Sequence, residues 1–390
     1  MNSQLSSAQV RLFAAATSWI EGEALRQLYA TANLDGMRSA VGFPDLHPGK
    51  GSPVGAAFVT EGIIYPHLIG GDIGCGMALF TTDLPRRNAR LDRWASLRFD
   101  LEHPFAEARE RLRDYGLDST EFDDAFGTVG GGNHFAELQA VERVSDAEAF
   151  AKVGLSKEQL AILIHSGSRG LGDSILRKHV SEHAGRGMTA DSEAGKEYLR
   201  THDIAVQWAE ANRDVIAQRF AGLLDADIER RWDGCHNSIT RAGSPSPLNG
   251  DRAGVRGGYG EEVFIHRKGA VNADSEFVVI PGSRGSLAYI VKPTGDGESH
   301  AWSLAHGAGR KWTRSDARQR MRERFSVDEL TQTSLGGRVV CEERDLLYEE
   351  APAAYKNIET VIADLVDAGL VSVIATLRPL LTYKTRKQKR

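Results

Sequence analysis

Helical apolar spacing is clearest in three stretches. Between Ser7 and Asn33 the apolar positions Val10, Phe13, Ala14, Ile20 and Leu25 predict one or two helices. Residues 191 to 224 carry the stripe Ile204, Trp208, Ala211, Val215 and Phe220, a long helix whose aromatics read as core. Asn357 to Asp367 predicts a helix closed by Gly369. Leu91 to Leu117 is charged and amphipathic and is expected to be helical as well.

Shorter apolar runs bounded by turn residues predict strands. They are Leu79 to Asp83, Ala161 to Ile164, Glu262 to His266, Phe277 to Ile280, Leu287 to Lys292 and the extended run Val371 to Tyr383. Ala56 to Thr60 and Ile63 to Pro66 flank Glu61-Gly62 and predict a hairpin. Thr240 to Gly260 reads as a long loop. Strands and helices do not alternate regularly, and the fold class expected is α+β. The glycine loops spread from residue 49 to residue 309 argue for one composite site in one large domain over residues 1–390.

Composition adds little beyond class. Apolar residues make up 41% and charged residues 26% of the 390, ordinary for a globular protein. No run of eighteen apolar residues occurs, and Met1 to Ser7 lacks the basic and apolar segments of a secretory leader. Cys75, Cys235 and Cys341 are too few and too scattered for a disulfide framework, which fits a reducing, cytoplasmic setting. A net charge of −5 argues against indiscriminate coating of nucleic acid, although 385–390 is a short basic tail.

The chemistry lies in glycine-rich loops. Gly70 to Met77 (Gly-Gly-Asp-Ile-Gly-Cys-Gly-Met) sets the carboxylate of Asp72 and the thiol of Cys75 three residues apart. Oxygen and sulfur aimed at one point are metal ligands, or the stretch is a turn with a small buried cysteine. Asp45 and His47 sit in a loop of three prolines and three glycines, Phe43 to Gly55. Gly130 to Gly132 offers backbone N–H groups for an anion, followed at once by Asn133, His134, Phe135 and Glu137. His165 ends an apolar run, and Cys235-His236-Asn237 brings one further ligand, since adjacent side chains diverge. Asp72, Cys75, His134, His165 and His236 would hold one metal, or two bridged by the thiolate; a structural zinc site is the conservative alternative. His306 stands apart among Gly307, Ala308 and Gly309, with Arg310 and Arg314 following. A neutral imidazole there is a usable nucleophile toward a nucleotide phosphate.

Six motifs occur in order: Gly-Gly-Asp-Ile-Gly-Cys-Gly, Gly-Gly-Gly-Asn-His-Phe-x-Glu, His-Ser-Gly-Ser-Arg-Gly, Cys-His-Asn, Pro-Gly-Ser-x-Gly and His-Gly-Ala-Gly-Arg. Asp45-Leu-His-Pro-Gly, Glu350-Ala-Pro-x-Ala-Tyr-Lys356 and Leu377-Arg-Pro-Leu accompany them. Together, from about residue 40 to residue 384, the chain resembles the RtcB family of 3′-phosphate RNA ligases. That resemblance implies a GTP- and Mn²⁺-dependent ligase. It would join RNA ending in a 3′-phosphate or 2′,3′-cyclic phosphate to RNA starting with a 5′-hydroxyl, in repair or tRNA splicing. By residue match His306 would be guanylylated. Cys75 would bridge two Mn²⁺ ions, one also held by His165 and His236, the other by Asp72 and His134. Asn133, His134, Phe135, Glu137, Asn237, Ser283, Gly307, Ala308, Gly309, Tyr355 and Lys384 would line the GTP site. The state expected is a monomer, and the fold the resemblance implies has mixed and antiparallel sheets flanked by helices around a central metal cleft.

Three places depart from the family pattern. Arg284 replaces a usual Met, Ala288 a Ser at a nucleotide contact, and Lys311-Trp-Thr-Arg a usual Met-Ser-Arg tail. A metal-dependent cyclic phosphodiesterase or phosphatase, and a non-catalytic RNA-binding regulator, are the alternatives.

Overall fold

The computed structural model describes residues 8–98, 100–242 and 262–386. The predicted loop Thr240 to Gly260 falls mostly outside these residues, as do 387–390 of the basic tail.

The fold is α+β and is organised by two sheets. The larger has eight strands. Seven lie in the order Val278–Pro281, Ala288–Pro293, Val371–Thr385, Phe135–Val144, Gln159–Ser166, Gly76–Pro85 and Ile228–Cys235, and Arg338–Cys341 pairs with the C-terminal strand off this path. Every pair along the path is antiparallel. The smaller sheet runs Gln9–Leu12, Met37–His47, Val54–Glu61, Val263–Lys268 and Asn237–Arg241.

The central strands of both sheets are almost continuously buried. Ala161, Ile162, Leu163 and Ile164 are all below the surface, as are Ala56, Ala57, Phe58 and Val59. Such runs are what strands covered on both faces need. One apolar cluster joins the two sheets, with Val41, Phe43 and Val59 from the smaller meeting Met77, Leu79 and Leu163 from the larger. The helix Glu193–Gly222 lies over the larger sheet and buries Trp208, Val215, Ile216 and Phe220. Its first turn is capped by Ser192, whose side chain accepts from the Gly195 N–H.

Three expectations are corrected. Ser7 to Asn33 is not helical throughout. Gln9–Leu12 is a strand parallel to Met37–His47, and only Gly22–Ala32 is a helix. The β-branched and apolar residues before Ala14 found a sheet edge, an outcome helical spacing does not see. Leu91 to Leu117 holds two short helices, Leu91–Ser96 and Ala108–Asp114, with Pro104 between them. A proline and the residue before it resist a continuous helix. The hairpin around Glu61-Gly62 does not form: Ile63–Ile64 pairs with Met188–Thr189, while Val54–Glu61 pairs with Met37–His47 and Val263–Lys268. The remaining strands and the helices Glu193–Gly222 and Ile358–Asp367 stand within a few residues of their predicted positions.

Two features of this topology place the chemistry. Strands Gly76–Pro85, Phe135–Val144 and Gln159–Ser166 are neighbours, and Cys75, His134 and His165 lie at or beside their adjoining ends. His236 is the single residue between Ile228–Cys235 of one sheet and Asn237–Arg241 of the other. The point where the chain changes sheets is therefore a ligand position.

Candidate metal centre and nucleotide cavity

The register alone brings the ligands close. His165 lies opposite both Met77 and Phe135, and Gly76 lies opposite Cys235. The His236 N–H donates to the Cys75 carbonyl at 2.8 Å. The Cys75 Sγ is consequently 3.3 Å from His134 Nε2 and 3.3 Å from His165 Nε2. His165 Nε2 is 3.3 Å from His236 Nε2, and His134 Nε2 is 2.9 Å from Asp72 Oδ2. Two triads, Cys75–His165–His236 and Asp72–Cys75–His134, share the sulfur. Cys235, the rejected neighbour, turns away and donates its thiol to the Asn237 carbonyl at 3.5 Å.

The tautomers follow from the outer partners. His134 Nδ1 is 3.1 Å from the Val129 carbonyl, and His165 Nδ1 is 3.2 Å from the Asn133 carbonyl. A carbonyl only accepts, so each Nδ1 carries the proton. Burial, then the neighbouring imidazoles, hold His165 well below the usual histidine range; burial and His306 do the same to His236. His165 therefore presents a bare Nε2 lone pair to the sulfur, while His134 Nε2 faces both the sulfur and the Asp72 carboxylate. Lone pairs facing each other repel unless a cation sits among them, and a carbonyl behind each ring is the usual support of a ligating histidine. Burial, and Asp72 after it, push the Cys75 thiol up, so the sulfur keeps its proton until a cation displaces it. Burial pushes Asp72 up too, but His134, Arg169 and the Cys75 thiol together outweigh it and the carboxylate ends below its usual range. A thiolate, three imidazoles and a carboxylate fit a divalent transition metal, and imidazole with sulfur suits zinc at least as well as manganese.

The cluster opens on a cavity of ≈ 320 Å³. Asp72, Cys75, Asn133, Phe135, His165, His236, Asn237, Ser283, His306, Gly307, Ala308, Gly309, Tyr355 and Lys384 all line it. Two expected residues sit behind the wall. His134 is buried beneath Cys75 and Asp72. Glu137 accepts from the Gln139 amide and from the hydroxyl of Thr382, which does line the cavity. Burial raises Glu137 to about 8 against the pull of Thr382 and Lys384. Burial lowers Lys384 to about 8, and its ammonium donates to the Gly132 carbonyl at 2.7 Å. Asn237 uses both ends of its amide on the protein: Nδ2 donates to the Asp72 carbonyl at 3.3 Å, and Oδ1 accepts from the Gly269 N–H at 2.9 Å.

His306 stands at the edge of the cluster, its ring centroid 4.8 Å from that of His236. Its Nδ1 is 2.7 Å from Oδ2 of Asp45, a fully buried carboxylate. The same oxygen accepts the His306 backbone N–H at 3.3 Å. With Nδ1–H given to Asp45, Nε2 is left as the free nucleophilic atom. Arg310, Arg314, Arg284 and Lys384 line the same space, against the acids Asp72 and Glu350. Arg310 donates to Glu350 Oε1 at 3.0 Å and to the Tyr355 hydroxyl at 3.1 Å. Burial pushes Glu350 up, yet Lys384 and Arg310 together hold it below the usual carboxylate range.

Three positioning groups escaped the sequence reading. Asp45 was visible only as half of an Asp-x-His pair; its partner is His306, not His47. Arg213 and Asn212 were hidden in a helical stripe read for its apolar side. Arg213 pairs with Asp233 through Nε at 2.7 Å and Nη2 at 2.6 Å, both groups buried. Its Nη1 also donates to the carbonyls of Gly74 and Ser166, at 2.7 and 3.0 Å. Those carbonyls flank Cys75 and His165, so one guanidinium clamps two ligand loops. Asn212 accepts from the Gly127 N–H at 2.7 Å and donates to the Gly167 carbonyl at 3.1 Å. The glycines of the third loop have packing reasons. Gly130 and Gly132 have φ of 86° and 69°, and a Cβ on either would strike the guanidinium of Arg169 or Arg314.

Arg284 is buried and donates Nη2 to the Leu347 carbonyl at 2.8 Å, so its guanidinium ties the loop after Pro281 to the helix Arg344–Glu349. Ala288 lies inside its strand, paired with Pro281 and Leu377.

Sulfur, imidazoles and a carboxylate converge beside a cationic cavity, a set that could hold a metal ion next to bound phosphate. The comparisons carry this to a family. The tRNA-splicing ligase RtcB family matches residues 27–123 and 116–385. RNA-splicing ligase RtcB2 of Escherichia coli is 42% identical over 376 residues, 95% of this chain and 94% of the relative. RNA-splicing ligase RtcB of Escherichia coli strain K12 is 29% identical over 413 residues, covering 94% and 95%. The Mycobacterium tuberculosis protein of the same name is 29% identical over 442 residues, covering 91% and 99%. The chain belongs to the RtcB family of ligases. No helix among the described residues is long and apolar enough to cross a membrane.

Proposed function

We propose that this protein is a GTP-dependent RNA ligase that seals 3′-phosphate or 2′,3′-cyclic phosphate ends to 5′-hydroxyl ends through a guanylylated His306. The observation that carries this reading is His306 itself. Its Nδ1 is tied to a buried carboxylate and its ring stands against the sulfur–imidazole cluster at the head of a cationic cavity.

The steps assigned to the chain's own groups are these. Arg310, Arg314 and Lys384 receive the triphosphate, where fixed cations offset its charge. His306 Nε2 attacks the α-phosphorus, the bond to the β-phosphate oxygen breaks, and pyrophosphate leaves. Asp45 holds Nδ1–H throughout and stabilises the positive charge the ring acquires. The guanylyl group then passes to the RNA 3′-phosphate and frees His306. The 5′-hydroxyl attacks that activated phosphate and GMP departs. A cyclic phosphate is first opened by water.

Asp72, Cys75, His134, His165 and His236 would hold the divalent cations, taken here as Mn²⁺. Bound there, such ions supply Lewis-acid stabilisation of phosphate charge. Asn133, Phe135, Ser283 and Tyr355 are assigned to the nucleoside, and Glu137 to its support from behind through the Thr382 hydroxyl that lines the cavity. Asn237 is assigned to holding the Asp72 loop. One ligase unit over the whole chain, acting as a monomer, completes the proposal.

The test is incubation with Mn²⁺ and α-labelled GTP. A labelled, acid-labile protein adduct is expected from the wild type and none from His306→Ala. Cyclic-phosphate opening without GTP that survives His306→Ala would instead mark a phosphodiesterase.

A further inference from the structure

A second cavity, of ≈ 510 Å³, lies behind the wall of the first. Trp19, Trp312, Lys311, Lys356, Asn357, Thr360, Val361 and Asp364 are among its lining residues. The two cavities share a partition. Lys311 follows Arg310, and Lys356 follows Tyr355. The Lys356 ammonium donates to the carbonyls of Pro44 and Leu46 at 2.9 and 2.7 Å, which bracket Asp45. The residue that orients His306 is thus gripped from the second cavity.

The contents of this cavity call for a flat ligand with N–H donors and a nearby negative charge. Trp19 is 53% exposed, an unusual state for so large a ring and one that water alone does not reward. Lys356 stands over it at 5.7 Å, and Arg320 stands over Trp312 at 4.9 Å. A ring with a cation on one face still has its other face for stacking. Asp364 is 6% exposed, and among the described residues no donor reaches its buried Oδ2. A buried acceptor left open is costly, and a ligand that supplies the missing donor recovers that cost. Guanine presents two adjacent N–H groups on one edge, which a carboxylate accepts together. Uracil and cytosine lack that pair, and adenine offers one amine beside an acceptor. Lys311 and the ammonium of Lys356 supply charge for a backbone phosphate.

We infer that this cavity is a subsite for a guanine base of the RNA strand being sealed, stacked on Trp19 and Trp312 and read by Asp364. The inference rests on the ligase reading and assigns to the second cavity a preference among bases of the RNA strand, apart from the first cavity, which is assigned GTP and the RNA ends.

The test measures binding of fluorescein-labelled single-stranded RNA octamers ending in a 3′-phosphate, with one guanine moved through the positions next to the end, by anisotropy in the presence of Mn²⁺. Wild type is expected to bind the octamer with guanine at one position roughly ten-fold more tightly than its adenine counterpart. Trp19→Ala is expected to weaken that octamer roughly ten-fold. Asp364→Asn is expected to erase the guanine preference while leaving the adenine octamer unchanged. Trp19→Phe is expected to restore most of the affinity. Labelling of His306 by GTP, measured in parallel, is expected to persist in all three variants, because none touches the first cavity. Equal affinity for guanine and adenine octamers at every position, or unchanged RNA binding in Trp19→Ala, overturns the subsite. So does saturation of the cavity by free GMP with no change in RNA affinity. Absence of the labelled adduct in wild type overturns the ligase reading instead, so the two failures are separable.

Discussion

The cavity has two unlike walls. One is the sulfur and its imidazoles, seated at the ends of adjoining antiparallel strands. Backbone carbonyls hold two of its imidazoles, His134 and His165, from behind. The other lies around Gly307, Tyr355 and the end of the strand Val371–Thr385, and carries Arg310 paired with Glu350 and the Lys384 ammonium held by the Gly132 carbonyl. A wall of lone pairs invites a cation. A wall rich in guanidinium invites polyphosphate. His306, between them, touches both and is held from a third direction by Asp45. The contrast teaches that the close-set donors are placed at strand ends, where register sets position, while the cations reach the cavity on long side chains from a loop, a helix start and a strand end.

Breaking the first wall is expected to have the largest effect. On the proposed reading, in which Cys75 would hold the catalytic cations, Cys75→Ala is expected to lower sealing on the order of 10³-fold. Mass spectrometry of metal content is expected to fall in step; full metal content in the variant would mean the sulfur is no ligand. The seam between the walls comes next. Asp45→Asn is expected to slow adduct formation roughly 10²-fold while GTP affinity holds, because the ring keeps its place and loses its tautomer. A matching loss in GTP affinity would place Asp45 in binding instead. The clamp behind the first wall is a stability device. Arg213→Met strands Asp233 in the interior and is expected to cost about 3–5 kcal/mol in chemical denaturation. The charged wall is softer. Arg310→Lys is expected to weaken GTP binding roughly ten-fold, because an ammonium cannot span Glu350 and Tyr355 as a guanidinium does.

The smallest expected effect lies outside both walls and serves as their control. His266 is fully buried, and its Nε2 accepts the Tyr65 N–H at 2.9 Å. Burial lowers it to about 3. Below pH 6.5 the unfolded chain takes up a proton that the folded chain refuses. Its contribution is therefore complete above that pH and fades as pH falls toward 3. The loss expected at pH 5.5 is about 1.4 kcal/mol. Denaturant midpoints read between pH 7.5 and 5.5 check it, and His266→Gln is expected to flatten the slope.

That Asp72, Cys75, His134, His165 and His236 would converge was legible because glycine-rich loops with Asp, Cys and His are unusual in a packed chain, and each motif carries its own side chain. The long helix Glu193–Gly222 and the strand Val371–Thr385 were legible because their apolar periods extend over many residues. What the sequence determined by itself was the kind of chemistry: which atoms are offered, and that thiol, imidazole and guanidinium occur in one chain. Only the tertiary structure decided which of them meet. Asp45 and His306 are separated by 261 positions, and Arg213 reaches the Gly74 carbonyl across 139. Local spacing holds no record of contacts at such range. The failed hairpin at Glu61-Gly62 has the same cause: a turn permits pairing, but the strand with the better buried partner, Val263–Lys268, takes the edge.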